Sequence, residues 1–189
     1  MTASAMILIT LALLFGHLYW QRQTMAGWLR TICLGGTIAV VLWGVFWIGD
    51  KMSQWMFDFA RPQVDTIYGM KDGNAPWGIA LLLLFIIGPA EELFWRGYIQ
   101  SSLVRFFQKR HHGMPLAKAA RKAKNLAFVL TTAAYTLVHL PSMNFMLIMA
   151  ALVCGITWGG LYRLMPKQLS AIVLSHALWD AAAFVWFPI

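Results

Sequence analysis

The sequence predicts an all-α protein, a polytopic transmembrane helical bundle of about six spans. Three observations carry that reading. Of the 189 residues 60% are hydrophobic and only 12% are charged, against roughly 25% charged in ordinary soluble domains. The apolar residues gather into six runs, at 3–20, 31–49, 77–104, 126–140, 144–164 and 168–188, close to the roughly 17–25 residues that cross a bilayer. Most charged residues fall between the runs. A soluble chain of this length has too little interior to hide so much apolar surface.

Each element has its own justification. The run at 3–20 has no basic lead-in and no small-x-small cleavage pattern, so it reads as a retained span rather than a signal peptide. His17, near its end, reads as interfacial. The run at 31–49 carries Cys33, and that at 144–164 carries Cys154; both read as small hydrophobes, so no disulfide framework is implied. The run at 126–140 is short, but "ARKAKN" before it can snorkel its Lys and Arg heads to the interface. No internal repeat or low-complexity tract interrupts the chain. Residues 1–189 therefore read as one membrane domain, with two N-terminal spans and their loop in 1–76 and a core in 77–189.

The net charge of +8 would hint at nucleic acid in a soluble protein. Here its placement sets orientation, the expected partner is the lipid bilayer, and no nucleic acid is expected. Eleven Lys and Arg side chains follow the first, third and fifth spans: Arg22, Arg30, Arg105, Lys109, Arg110, Lys118, Arg121, Lys122, Lys124, Arg163 and Lys167. Three follow the second, Lys51, Arg61 and Lys71, beside Asp50, Asp58, Asp65 and Asp72. By the positive-inside rule both termini face outward and a solvated loop at 105–125, with His111 and His112, lies in the cytoplasm. A bacterial inner membrane suits the chain.

The stretch "GPAEELFWRGYIQ", residues 88–100, departs from its surroundings. Inside the spans stand Glu91, Glu92, Arg96, His139, His176 and Asp180. An ionisable group at the bilayer centre costs at least ~2.5–3.5 kcal/mol, so these must face one another or a wet cavity. Glu92 and Arg96, four apart, share a helix face in the favourable order, while Glu91 projects about 100° away. Gly88-Pro89 predicts a broken or kinked helix restarting just before the acids. His176 and Asp180 form a second i, i+4 pair, and Tyr135 and His139 a third, closed by Pro141. The Tyr135 hydroxyl needs a buried partner. At 1.5 Å per residue, Glu91 falls ~9 Å and His176 ~12 Å from the inner face, but His139 ~20 Å from it.

A carboxylate with two imidazoles in an apolar enclosure can activate water, the acid serving as base and the imidazoles positioning water or stabilising an oxyanion. The same groups, Glu91, His139 and His176, could instead hold zinc as two His and a carboxylate with an open position. Both routes lead to hydrolysis. Two other classes compete. One is a non-catalytic immunity or scaffold factor in which the polar set glues helices. The other is a proton-coupled transporter, which the lack of inverted repeats disfavours.

Glu91-Glu92-x-x-x-Arg96-Gly97, then Tyr135-x-x-x-His139, then His176-x-x-x-Asp180, all on spans, resembles the CAAX prenyl protease and bacteriocin-processing (CPBP, or Abi) family of intramembrane endopeptidases. The resemblance runs from about residue 77 to the C-terminus. It implies that Glu91 activates the attacking water with His139, that His176 and the residue at 180 stabilise the oxyanion, and that Glu92 and Arg96 are an architectural ion pair. Tyr135 stands where the family usually has Phe, and Asp180 where it has Asn or Asp. An ionised Asp cannot donate to an oxyanion, so Asp180 must be protonated, orient a charged His176, or ligate a metal.

Overall fold

The computed structural model describes residues 2–15, 24–71, 73, 75–110 and 115–189. His17, Arg22, Asp72, His111 and His112 lie outside the described residues. Among the described residues every regular element is helical: α1 Thr2–Phe15, α2 Met25–Met56, α3 Ala60–Gly69, α4 Pro76–Arg110, α5 Leu116–Leu137, α6 Phe145–Leu164 and α7 Pro166–Trp186. The apolar faces are inside out. Val40, Val41, Ile48, Trp77, Leu81 and Phe85 are exposed, an arrangement that lipid tails stabilise and water would not.

Four of the described helices, α2, α4, α6 and α7, are long and apolar enough to cross a membrane, so the expected six spans are not reached on that measure. The described part of α1 has 14 residues, short of a bilayer. α5 has 22 residues, but Lys118, Arg121, Lys122 and Lys124 occupy its first turns. Those residues also correct the expected loop at 105–125: the chain is helical through Arg110 and again from Leu116.

α7 is the centre of the bundle, packed between α2 and α4, while α5 pairs with α6 and with the end of α4. α1 lies along α4, where Ala12 is fully buried and Leu8 and Ile9 pack against Leu83, Ile87 and Ala90. Close approach explains the α4–α7 contact. A Cβ on Gly88 would stand 2.9 Å from the Ala177 Cα and 3.1 Å from its N, so only a glycine lets the two backbones come this near. That contact sets His176, the neighbour of Ala177, beside the acids of α4.

Of the break or kink expected in α4 at Gly88-Pro89, the break is not found. The helix widens into π turns at Leu83–Ile87 and Leu93–Gln100, with a short α segment, Gly88–Glu92, between them. The Gly88 N–H bonds back to the Leu83 carbonyl, five residues away rather than four. Pro89 has no N–H and its ring clashes with a regular preceding turn; the wider turn absorbs both problems without ending the helix. Such π segments are rare and concentrate at functional sites. Both Glu91 and Glu92 lie in the segment between them.

Candidate active site

Four helices bring the intramembrane polar residues to one place. Glu91, Glu92 and Arg96 come from α4, Tyr135 from α5, Trp158 from α6, and His176 and Asp180 from α7. Glu92 and Arg96 form the ion pair that their spacing predicts, with Arg96 Nη1 2.8 Å from Glu92 Oε1 and both side chains essentially inaccessible. The same Glu92 oxygen also accepts from His176 Nδ1 at 2.7 Å. Glu92 is thus a hub joining α4 to α7, a connection that neither i, i+4 pair contains. Breaking a buried pair by removing one partner costs about 3–5 kcal/mol, and here one carboxylate holds two partners.

His176 is bracketed by acids. Its other ring nitrogen, Nε2, is 3.4 Å from Asp180 Oδ2, and its ring stacks on Trp158 with centroids 3.7 Å apart and planes 18° from parallel. Carboxylates beside both ring nitrogens suit a charged imidazole, and the face of an indole is a favourable neighbour for a cation. The fully buried Trp158 is itself held by its Nε1–H, which donates to Ser175 Oγ at 3.0 Å. The Arg96 guanidinium carbon sits 4.9 Å from the Tyr135 ring centroid and 5.9 Å from that of Trp158. Two cations therefore share an aromatic wall.

Glu91 points away from this pair, as its angle on the helix predicts. Its Oε2 accepts from the Tyr135 hydroxyl at 3.1 Å, which supplies the partner that the buried phenol requires. Among the described residues no cation is bonded to Glu91, although His176 and Asp180 act on it electrostatically. Glu92 and Asp180 are engaged by Arg96 and His176; Glu91 is the carboxylate held by a neutral donor alone.

His139 lies just past the end of α5, before a tight turn at Leu140–Ser142 that contains Pro141. Its Nδ1 donates to the Tyr135 carbonyl at 2.8 Å, and the two rings meet edge to face at 5.3 Å. In the neutral imidazole that bond leaves Nε2 as an acceptor. Tyr135 therefore touches both Glu91, through its hydroxyl, and His139, through its carbonyl. The depth disagreement expected between Glu91 and His139 narrows in the structure to about one helical turn. α4 has 35 residues, about 52 Å of helix against a core of about 30 Å, so counting from its outer end misplaces Glu91. Counted from Arg110 at the end of α4 and from Leu116 at the start of α5, Glu91 and Tyr135 are equally far along their helices.

The metal alternative finds no matching geometry. Among the described residues no three His, Cys, Asp or Glu side chains are grouped to hold an ion, and both His176 nitrogens already face carboxylates. The residues as arranged do not fit a zinc site made of Glu91, His139 and His176.

Sequence reasoning did not single out Trp158. The signal was present as Gly155-x-x-x-Gly159, a small-xxx-small pattern that marks close helix packing in membranes. Side chains built on these two glycines would press on Thr132, Tyr135 and Phe128 of α5, and Trp158 rides beside that seam into the core. Gln100, also missed, continues the Glu92–Arg96 face and donates from Nε2 to the Gly159 carbonyl at 2.9 Å. A cavity of about 480 Å³ between Pro76, Trp77, Val185, Trp186 and Phe187 touches none of the site residues.

Compared with known families, residues 73–182 match the one described as Rce1-like, type II CAAX prenyl endopeptidase Rce1-like. That interval contains every ionisable residue of the site and begins just before α4. No curated protein and no solved structure is found to match the chain.

Proposed function

Because the chain belongs to the type II CAAX prenyl endopeptidase Rce1-like family, and with it to the membrane endopeptidases, we propose that it hydrolyses a peptide bond of a membrane-associated protein or peptide, using water activated by Glu91. The observation that carries this reading is the division of labour among the acids. Glu92 and Asp180 are committed to Arg96 and His176, whereas the hydrogen-bond partner of Glu91 among the described residues is the Tyr135 hydroxyl. A carboxylate without a bonded cation, in surroundings of low dielectric, is the one suited to take a proton from water.

The remaining roles follow from position. His139 Nε2 accepts from the same water and holds it against the base. Attack on the scissile carbonyl places negative charge on its oxygen, and the charged His176, kept in orientation by Glu92 and Asp180, stabilises that charge. The His176–Asp180 contact supports Asp180 as an orienting group rather than a direct donor. The proton on Glu91 then passes to the departing amine. Glu92 and Arg96 are architectural, holding α7 at the distance at which His176 faces the site. The positive-inside pattern supports both termini outward and the facing ends of α4 and α5 in the cytoplasm, with α1 and α5 completing six spans. Labelling a single cysteine at position 109 from one side of sealed vesicles tests that orientation, and reaction from the outer side overturns it.

The test of the activity is cleavage by the purified protein in liposomes of a farnesylated CAAX-type peptide and of a mixed pool of membrane proteins. Wild type is compared with Glu91→Gln, each with and without a strong chelator. Cleavage by wild type regardless of chelator, and its loss by a factor of about 10²–10⁴ in the folded variant, is the expected result. Undiminished cleavage by Glu91→Gln overturns the assignment. Loss on chelation with recovery on added zinc replaces it by the metal-dependent protease. A pool left untouched by wild type favours the non-catalytic immunity or scaffold factor.

A further inference from the structure

A second site lies at the end of the bundle where α5 begins and α6 ends, and it takes no part in the chemistry above. A cavity of about 310 Å³ is lined by Ala117, Ala120, Arg121 and Lys124 of α5 and by Arg163 and Leu164 of α6. The α5 residues fall at helical spacing on one face, with two alanines making the room and two cations rimming it. Arg163 is held in place by its Nε–H, which donates to Asn125 Oδ1 at 2.7 Å, leaving a fixed guanidinium with four further donors.

Among the described residues the charge of this cavity has no paired counterpart. From Leu93 to Trp179 the sequence has no Asp or Glu. Among the described residues, every ion pair involves other groups, and none includes Arg121, Lys124 or Arg163. Three cations around one small cavity repel one another, so an anion supplied from outside stabilises them.

Position identifies the source of that anion. Arg163 is in the last turn of α6, a helix long and apolar enough to cross the membrane, so the cavity sits where hydrocarbon gives way to headgroups. Leu116, 90% exposed, and Leu164, 69% exposed, flank it with apolar surface suited to acyl chains. We propose that this cavity is a binding site for the phosphate of an anionic membrane lipid, with Arg121, Lys124 and Arg163 holding the headgroup and the leucines meeting its chains. Arg163 provides paired donors to phosphate oxygens, and Lys124 acts as a point charge. The bound lipid neutralises the cluster and braces the α5–α6 hairpin, which carries Tyr135 and Trp158.

Native mass spectrometry of the full chain released from detergent tests the site, with dioleoylphosphatidylglycerol and dioleoylphosphatidylcholine as probes. The wild type is expected to retain one phosphatidylglycerol in preference to phosphatidylcholine. Each basic residue near an anionic surface is worth about a factor of five, so the R121Q/R163Q pair should weaken retention about 30-fold. K109Q/K118Q removes the same charge outside the cavity and should change retention by less than about fivefold. A120L, which fills the cavity and leaves every charge, should weaken it as R121Q/R163Q does, and reads the site even where the double variant melts. Equal weakening by both charge pairs overturns the proposal in favour of diffuse surface attraction. So does retention unchanged by A120L, or no preference for phosphatidylglycerol. Competition by glycerol 3-phosphate at the lipid's own concentration reassigns the site to a soluble phosphate and overturns the lipid.

Discussion

The Tyr135 hydroxyl donates to Glu91 Oε2 over 3.1 Å, tying together side chains that lie 44 residues apart in the chain. Through its carbonyl the same residue accepts from His139. One tyrosine thus orients both groups assigned to the attacking water, and it is buried against Trp95, whose ring meets its own edge to face at 5.4 Å.

That relationship makes Tyr135→Phe informative. The ring, its aromatic contacts and the carbonyl bond to His139 remain, and one hydrogen bond to a charged group is lost, worth about 1.5–3 kcal/mol where it orients the base. The variant should stay folded and cleave about tenfold or more slowly, with the loss in kcat. Unchanged kcat in the liposome assay would show that Glu91 is positioned without the hydroxyl.

Glu92 holds two partners, so truncating Arg96 strands a buried carboxylate. Arg96→Ala is expected to destabilise the bundle by about 3–5 kcal/mol, read as a lowered thermal midpoint in detergent. The double variant Glu92→Gln/Arg96→Met removes both charges and should recover part of that loss. A midpoint for Arg96→Ala within error of wild type would contradict the ion-pair role.

Asp180 separates two ways of using His176. An Asn at this position still accepts from His176 Nε2 and also offers a donor, so Asp180→Asn should keep cleavage within about tenfold of wild type. Asp180→Leu leaves His176 Nε2 without its carboxylate partner and should lose about 10² or more, the scale of a lost oxyanion donor. Equal activity of the Leu variant would remove Asp180 from the mechanism.

Gly88 carries the approach of α4 to α7. A side chain there would meet the Ala177 backbone at 2.9 Å, and a neighbour that is backbone cannot swing aside. Gly88→Val should therefore cost about 1–3 kcal/mol or more in stability and lower cleavage by moving His176 from Glu92. Gly44→Val, where a side chain would meet nothing within 4 Å, is the control and should match wild type. Identical melting of the two variants would mean that the close contact does not hold the site.

The helical class, the membrane setting and the identity of the ionisable residues were legible in the sequence, because each rests on local composition or on spacing along one helix. Apolar runs report the solvent of a segment, and i, i+4 pairs report a shared face. Glu92 with Arg96 was readable for that reason, and so was the divergence of Glu91 from them. Local reading failed where the backbone left the regular α geometry that spacing assumes. Pro89 was expected to break or kink α4, and the π turns around it kept the helix continuous. The basic stretch at 105–125, expected as a loop, is helical through Arg110 and again from Leu116, since Lys and Arg are good helix formers as well as good interfacial residues.

Partnerships between helices were decided by the tertiary structure alone. That Glu92 also binds His176, that Tyr135 meets Glu91, and that Trp158 covers the His176 ring depend on how closely helices approach and at what rotation. Those quantities are set jointly by small residues on different helices: Gly88 against Ala177, and Gly155 and Gly159 against Thr132 and Phe128. The sequence determined which charges must be buried, because the bilayer penalises each one separately. Which charge answers which was left to packing, because an ion pair between helices exists only once both backbones are in place.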